Sequence, residues 1–343
     1  MSFAERKGCN HKMRVCCKVL AVFAAILLAM PAVSWAASCT TQAALAGRDR
    51  DALAAAGTRL SQAVLEQNFG ALQAALLPSE AGDWDGIRNV VEQGAPLVKG
   101  GQIQIRNIYL LDASTLSAPA NTQFFCSNAS GSLTVTITMQ GLPPGRYAVA
   151  LVDAAGAPLA GQIAIILAWD ATNATGGWRL GGVSVRQGTF DGHDGIWYWV
   201  RARELAKLNM PWSAWYCYEA ARSLLLPVDF ISSPNLDKLA AEQTQLKGSP
   251  MDAFPYTVPD GPRTWKIDSV QVDATLREPD LAVTYESTGV SDPAAQRTEA
   301  VAVLSAFLKA QPGLRENFHG LWADAMKDGK RTPVIELPMG QIP

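Results

Sequence analysis

Histidine and cysteine are scarce in this chain of 343 residues, which contains three histidines and six cysteines. The sequence also lacks the motifs Gly-x-Ser-x-Gly, Ser-x-x-Lys and His-Glu-x-x-His, and it has no glycine-rich phosphate loop. These motifs mark serine hydrolases, β-lactamase-like enzymes, zinc peptidases and nucleotide-binding proteins. None of these classes therefore has specific support, and we expect neither a cofactor nor a metal site.

Basic clusters and long apolar runs are missing after residue 36. The chain beyond that point has 24 basic and 30 acidic residues, and a mildly acidic protein without a basic stripe is a poor nucleic-acid binder. No later apolar stretch approaches the ~20 residues that a membrane-spanning helix needs. We therefore expect no nucleic-acid partner and no membrane span after residue 36.

Residues 1–36 have the pattern of a secretory signal peptide. Five basic residues precede the uncharged apolar run Val19–Met30, and Pro31 follows it. Ser34 and Ala36 supply the small residues that signal peptidase requires. The pattern predicts cleavage after Ala36 and a periplasmic or secreted protein of a bacterial-type cell. An uncleaved anchor is the alternative, although the apolar run is short for a membrane span.

Three cysteines remain after residue 36: Cys39, Cys126 and Cys217. An odd number permits at most one internal disulfide in an oxidising compartment. We favour the pair Cys39–Cys126 and expect Cys217 to be a buried helix cysteine. Alternatively, Cys39 is a lipid-anchored N-terminus, because small residues precede it, but the leucine usual in a lipid-attachment motif is absent.

The pattern of apolar residues predicts an α+β protein with three domains after the signal peptide. Helices followed by antiparallel strands are expected over residues 40–190, a helical hairpin over 195–245, and a small ββαββ domain over 254–343. In the first domain, the alanine-rich run Asp49–Gln67 has apolar residues at helical spacing, and Leu133–Met139 alternates as a half-buried strand does. A further helix is expected over Asp83–Gln93, before a glycine and a proline.

The segment Gly-Gly-Trp-Arg-Leu-Gly at 176–181 resembles a late strand of the nuclear-transport-factor-like (SnoaL-like) cone fold. The resemblance implies helices packed into a curved sheet, in a fold that hosts both enzymes and binding modules. The acid and base residues of the family's enzymes match no position here. Alternatively, the domain is a β-sandwich, since Leu142–Tyr147 (Leu-Pro-Pro-Gly-Arg-Tyr) is similar to a turn of carboxypeptidase-regulatory-type sandwiches.

Two helices are predicted in the second domain, over Ile196–Leu208 and Trp212–Leu226, with Pro227 ending the second. The predicted hairpin is also similar to a tetratricopeptide helix pair in the relative positions of Ala202, Ala214, Tyr218 and Ala221. A solenoid needs about three repeats to bury a core. The pair is therefore expected to be one hairpin packed on its neighbours.

The third domain is predicted from two strand pairs that flank a helix. Asp292 is a suitable N-cap and precedes a proline. The sequence Lys-Asp-Gly-Lys at 327–330 indicates a hairpin, because Asp-Gly suits a type I′ turn.

Asp191, His193 and Asp194 are the candidate catalytic residues, in the short polar loop Asp-Gly-His-Asp-Gly. Their side chains can ligate a metal or act as acid and base, but the spacing matches no complete ligand set. We favour a structured turn whose aspartates cap the next helix. His319 is expected to be structural.

Aromatic residues are concentrated in the predicted hairpin, and five of them are candidates for a binding surface: Trp197, Trp199, Trp212, Trp215 and Tyr218. Exposed rings of this kind bind sugars and peptides. Burial is the commoner role of large aromatic side chains, so we favour a core position, with Trp199, Trp215 and Tyr218 largely buried.

These features predict an exported, non-enzymatic binding or scaffold protein of the cell envelope. Its partner would be a protein or an envelope glycan. The alternative is an envelope enzyme, hydrolase-like, that uses the concave face of the first domain or the Asp191–Asp194 loop. An enzyme would bring titratable side chains together in a pocket, whereas a binding protein would expose a broad apolar patch.

Overall fold

Seven α-helices and fifteen strands form the described part of the chain, which confirms the predicted α+β class. The computed structural model describes residues 37–343 except 157–159, 173–175 and 274–277. The predicted signal peptide at 1–36 lies outside the described residues. Residues 37–343 form one compact unit, and their division into three domains stays a prediction.

Three α-helices lie in the N-terminal part of the described chain. They are α1 (Gly47–Leu65), α2 (Phe69–Ala75) and α3 (Trp84–Val98). Leu53, Leu60 and Val64 recur at helical spacing in α1, and all three are buried. The Asn68 side chain caps α2 by accepting a hydrogen bond from the backbone nitrogen of Ala71.

Helix α3 extends five residues beyond its predicted end at Gln93 and continues through Pro96 to Val98. Proline normally ends a helix because it lacks an N–H group. Here Ala95 and Val98 are buried in the core beneath the helix. Tertiary packing therefore outweighs the local signal.

Ten strands precede the C-terminal sheet. They are β1 (Ser38–Thr41), β2 (Gln102–Asp112), β3 (Ala120–Ser127), β4 (Leu133–Leu142), β5 (Arg146–Ala155), β6 (Gly161–Asp170), β7 (Gly177–Gln187), β8 (Thr189–Phe190), β9 (His193–Asp194) and β10 (Ile231–Ser232). The first sheet has the antiparallel order β1-β2-β5-β6-β7, and a smaller sheet has the order β10-β4-β3.

Side chains of the central strand β5 point alternately to two separate cores. Ala150 and Val152 pack with the three helices, whereas Val149 and Leu151 pack with the smaller sheet. The period of two follows from the pleat of the strand. Helices, five-stranded sheet and three-stranded sheet therefore form three layers.

A disulfide joins Cys39 on β1 to Cys126 on β3, the pair that the sequence analysis favours. Their Cα atoms are 5.0 Å apart, within the usual range for such a bond. The disulfide links the first sheet to the smaller one. Cys217 is free and buried, also as expected.

The central helices are α4 (Gly195–Lys207), α5 (Pro211–Leu225) and α6 (Pro234–Thr244). Pro211 begins α5 at a position that tolerates the missing N–H group. The α4–α5 hairpin shares one hydrophobic core with the C-terminal sheet and its helix.

The C-terminal sheet contains β11 (Tyr256–Asp260), β12 (Arg263–Asp273), β13 (Asp280–Glu286), β14 (Gly320–Lys327) and β15 (Lys330–Pro338), in that order. Helix α7 (Pro293–Ala310) connects β13 to the parallel strand β14, and the other pairs are antiparallel. The predicted ββαββ elements are present, and β11 is an additional strand before them. Asp292 caps α7, and Asp328 and Gly329 both have positive φ, as a type I′ turn requires.

Among the described residues, no helix is both long enough and apolar enough to cross a membrane.

Candidate functional site

A cleft of about 400 Å³ lies between the α4–α5 hairpin and the edge of the C-terminal sheet. Its lining includes six charged or aromatic side chains that matter for its chemistry: Asp191, His193, Trp197, Arg201, Glu278 and His319. The cleft brings His193 and His319 to the same surface although 126 positions separate them. Its size suits a small ligand.

Asp191 and His193 are placed by a two-residue turn. Strands β8 and β9 pair across Asp191 and Gly192, which have φ values of 45° and 73°. Aspartate and glycine tolerate this left-handed region. Both Asp191 and His193 therefore lie at the cleft.

Asp194 has a structural role. Its carboxylate accepts a hydrogen bond from the backbone nitrogen of Trp197 at 2.8 Å and so caps α4. The structure therefore separates the three candidate catalytic residues, with two at the cleft and Asp194 at the helix cap.

Trp197 is the exposed member of the five aromatic candidates. It retains 42% of its surface, and its ring stacks on His193 with 3.8 Å between centroids and an angle of 8°. The remaining four are buried in the core: Trp199, Trp212, Trp215 and Tyr218. A buried ring offers no face to a sugar or peptide, so the aromatic cluster is a core with one exposed tryptophan.

His319 lies between two carboxylates. Its Nδ1 is 2.9 Å from Oδ1 of Asp280, and its Nε2 is 2.6 Å from Oε2 of Glu278. Asp280 has no exposed surface, and its other oxygen accepts a hydrogen bond from the indole nitrogen of Trp322 at 3.2 Å. Asp280 therefore fixes the orientation of the His319 ring.

The pKa of His319 lies above its usual value. Burial lowers this pKa, but the hydrogen bond and charge of Asp280, together with the charge of Glu278, outweigh burial. This shift favours the protonated imidazole over the neutral one.

The topology of the C-terminal sheet explains why these residues meet. Asp280 begins β13, and His319 directly precedes β14. Because β13 and β14 are parallel, their first residues lie at the same edge. The antiparallel strand β15 ends at this edge, and Glu336 pairs there with Trp322.

Glu336 lies close to Asp280 and His319, and the three residues form a cluster of titratable side chains. One oxygen atom each of Asp280 and Glu336 and a ring nitrogen of His319 lie within 4.8 Å of one another. Oε1 of Glu336 is buried and has no hydrogen-bond partner. Burial raises the pKa of the Glu336 carboxyl, and the nearby Asp280 carboxylate raises it further.

Negative charge predominates at the cleft. Asp191, Glu278 and Glu316 line it. The guanidinium of Arg201 also lines it but forms an ion pair with Glu204 at 3.5 Å. His319 lines it as well and pairs with Glu278. Asp191 and Glu316 therefore remain as carboxylates without an ion pair among the described residues, an arrangement that favours a positively charged ligand.

Cys217 also contacts the cleft, but its thiol is buried. Burial raises the pKa of this thiol to about 12. The reactive form of cysteine is the thiolate, so Cys217 is inert near neutral pH.

A second concavity of about 780 Å³ lies on the first sheet, on the side of the smaller sheet. Apolar and aromatic groups such as Ile166, Trp169 and Phe230 dominate its wall. Tyr147 lies there too, and its hydroxyl donates a hydrogen bond to the backbone oxygen of Pro143 at 2.9 Å. The described lining residues include Glu80 but no histidine.

Sequence analysis did not identify Glu278, Asp280 or Glu336 as site residues. The one local signal is the polar sequence Glu-Pro-Asp at 278–280, placed directly before an apolar strand. Pro279 accepts a hydrogen bond from the backbone nitrogen of His319 at 3.1 Å, which aligns the two segments. That alignment depends on the pairing of β13 with β14, two strands that α7 separates in the sequence.

No protein-family model, curated protein or solved structure matches this chain. The resemblances of 176–181 to the cone fold and of the hairpin to a tetratricopeptide pair therefore stay predictions.

Proposed function

We propose that this chain is an exported, non-enzymatic binding protein of the cell envelope, and that it binds a positively charged group in the cleft. The observation that carries this proposal is the convergence of Asp191, Glu278 and Glu316 beside the exposed ring of Trp197. Carboxylates attract a cation, and an indole ring binds one through its π face. Amino sugars of envelope glycans and lysine side chains of proteins have this chemistry.

Two features support export. Residues 1–36 have the charge and apolar pattern of a signal peptide. The Cys39–Cys126 disulfide is the kind of bond that persists in oxidising compartments. Sequencing of the exported protein should find Ala37 at the N-terminus, and membrane-bound protein that retains residues 1–36 would contradict this part of the proposal.

Binding is favoured over catalysis by the state of two residues at the cleft, His319 and Cys217. Both ring nitrogens of His319 already contact carboxylates, so neither is free to accept a proton from a substrate in this arrangement. Cys217 remains a neutral thiol. Neither group is prepared to attack or deprotonate a substrate.

A hydrolase-like envelope enzyme is the second candidate. Asp280 is buried and contacts Nδ1 of His319, as a carboxylate does when it orients a catalytic histidine base. Catalysis by this pair would require Glu278, whose side chain is 42% exposed, to release Nε2 of His319. Hydrolysis of ester or amide probes that is lost in His319→Gln would favour this candidate over simple binding.

The charge requirement is tested with matched ligands. Glucosamine and lysine amide carry an amino group, whereas N-acetylglucosamine and Nε-acetyl-lysine amide do not. We expect calorimetric titration in the presence of EDTA to detect binding of at least one amine, with its acetylated counterpart at least tenfold weaker, a difference of about 1.4 kcal/mol.

Variants locate the site. Asp191→Asn and Trp197→Ala should each weaken amine binding about tenfold or more, because each removes a charged or aromatic contact. Asp252→Asn is the control, since Asp252 is exposed and lies outside the cleft lining. Equal affinity for amines and their acetylated forms, or equal affinity of Asp191→Asn and the unmodified protein, would overturn the proposal.

A further inference from the structure

Three side chains from three different strand ends form a potential metal-binding cluster at the edge of the C-terminal sheet. Each of Asp280, His319 and Glu336 offers one ligand atom, and the three atoms lie within 4.8 Å of one another. We propose that these three side chains bind one divalent transition-metal ion, with Zn²⁺ or Mn²⁺ as the best chemical match. The proposal does not depend on a ligand in the cleft.

The donor set suits such an ion. One imidazole nitrogen and two carboxylate oxygens form a mixed N/O set, which favours Zn²⁺ or Mn²⁺ over the all-oxygen sites of Mg²⁺ and Ca²⁺. The Nδ1–Oδ1 distance is 2.9 Å. Bonds of about 2.0–2.2 Å to a tetrahedral ion place ligand atoms about 3.3 Å apart, so small side-chain movements would suffice.

Glu336 supplies an independent indication. Its Oε1 atom is buried and has no hydrogen-bond donor. A buried carboxylate oxygen without a partner is costly. A cation bound between Glu336 and Asp280 would remove that cost.

Gly320 keeps space open beside these oxygens. A Cβ atom at this position would lie 2.8 Å from Oε1 of Glu336 and 3.0 Å from Oδ1 of Asp280. Any side chain would press on both carboxylates, and the glycine avoids this crowding.

Neighbouring groups would orient the ligands. The Trp322 indole donates a hydrogen bond to Oδ2 of Asp280, leaving Oδ1 for the metal. Nε2 of His319 faces Glu278 at 2.6 Å. A ligating histidine commonly donates its second ring N–H group to a carboxylate, which fixes the tautomer. His319 therefore has its partner on the side opposite the proposed ion.

The test uses the exported chain from residue 37 onward, stripped with EDTA and then freed of chelator. We expect calorimetry to give one Zn²⁺ or Mn²⁺ per chain with micromolar or tighter affinity, and at least tenfold weaker binding of Mg²⁺ and Ca²⁺. Co²⁺ should produce visible d–d absorption with the same stoichiometry. Failure of all three transition-metal ions to bind stoichiometrically would overturn the proposal.

Substitutions distinguish this cluster from the cleft. Glu336→Gln and Asp280→Asn preserve shape but remove a ligand charge, and each should weaken binding about 100-fold or more. Gly320→Ala should weaken it without removing any ligand. His193→Gln and Asp191→Asn are controls, because they alter the cleft but not the cluster. Metal binding that depends on His193 and not on Glu336 would show that the assignment is wrong, whatever the result with amines.

Discussion

The indole nitrogen of Trp199 donates a hydrogen bond to Oε2 of Glu242 over 2.8 Å. Arg203 binds the same carboxylate through two nitrogens, at 2.7 and 2.9 Å, and its guanidinium lies 4.4 Å from the centre of the Trp199 ring. Glu242 is on α6, whereas Trp199 and Arg203 are on α4. This carboxylate therefore links the third central helix to the hairpin.

When Glu242 is replaced, the free energy of unfolding should change less between pH 7 and pH 3 than it does in the unmodified protein. The hydrogen bonds from Arg203 lower the pKa of the Glu242 carboxyl below its ordinary value, despite the opposing effect of burial. A carboxyl whose folded pKa is lowered stabilises the fold above its unfolded pKa of about 4.3, and loses that contribution as pH falls through the folded pKa. Glu242→Gln should therefore cost about 1–2 kcal/mol at pH 7 and much less at pH 3.

Urea unfolding at the two pH values measures this difference. Glu92→Gln is the control, because Glu92 forms an exposed ion pair with Arg88 within one helix, which is worth about 0.3–0.5 kcal/mol. An equal loss of stability for Glu242→Gln at pH 7 and pH 3 would exclude a role of the charge.

Trp215 and Trp197 should respond oppositely to truncation. Trp215 is 8% exposed and donates a hydrogen bond to Glu219, whereas Trp197 is 42% exposed. Trp215→Ala should cost about 3–5 kcal/mol, the usual value for a core aromatic side chain. Trp197→Ala should cost about 1 kcal/mol or less and act on cleft binding instead. Denaturant unfolding of both variants decides, and a stable Trp215→Ala protein would contradict the core assignment.

Local sequence signals were sufficient to predict α1, the α4–α5 hairpin and β4. The apolar spacing in α1 and the proline at the start of α5 are read from neighbouring residues. Strand β3 was not predicted, because Thr122 and Gln123 interrupt its apolar pattern. Helix α3 continues past Pro96 because of tertiary packing, which cannot be inferred from neighbouring residues in the sequence.

The site was predicted only in part for a related reason. The Asp191–His193 turn has a local signature of turn-forming residues. The positions of the C-terminal site residues depend on the parallel pairing of β13 with β14, two strands that α7 separates in the sequence. Asp280, His319 and Glu336 are distant in sequence, and only this pairing brings them together.

Removing the Cys39–Cys126 disulfide should destabilise the protein by about 4 kcal/mol. The two cysteines are 87 positions apart, and a crosslink over a long loop restricts the unfolded chain strongly. The double variant Cys39→Ala/Cys126→Ala should unfold at lower denaturant concentration than the unmodified protein. Reducing agent should lower the midpoint of the unmodified protein and leave that of the double variant unchanged. A non-reducing peptide map that links Cys217 to either partner would contradict the pairing.

Two glycines of α3 provide a matched test of how this helix packs. A Cβ atom on Gly94 would lie 2.4 Å from Cβ of Val185 on β7, whereas a Cβ atom on Gly86 would meet no heavy atom within 4 Å. Gly94→Ala should therefore cost about 1–3 kcal/mol, because helix and sheet must separate. Gly86→Ala should stabilise the protein by about 0.5 kcal/mol, since alanine loses less backbone entropy on folding. Thermal and urea unfolding should show opposite signs for the two substitutions. Stabilisation by Gly94→Ala would mean that α3 does not lie against β7 at Val185.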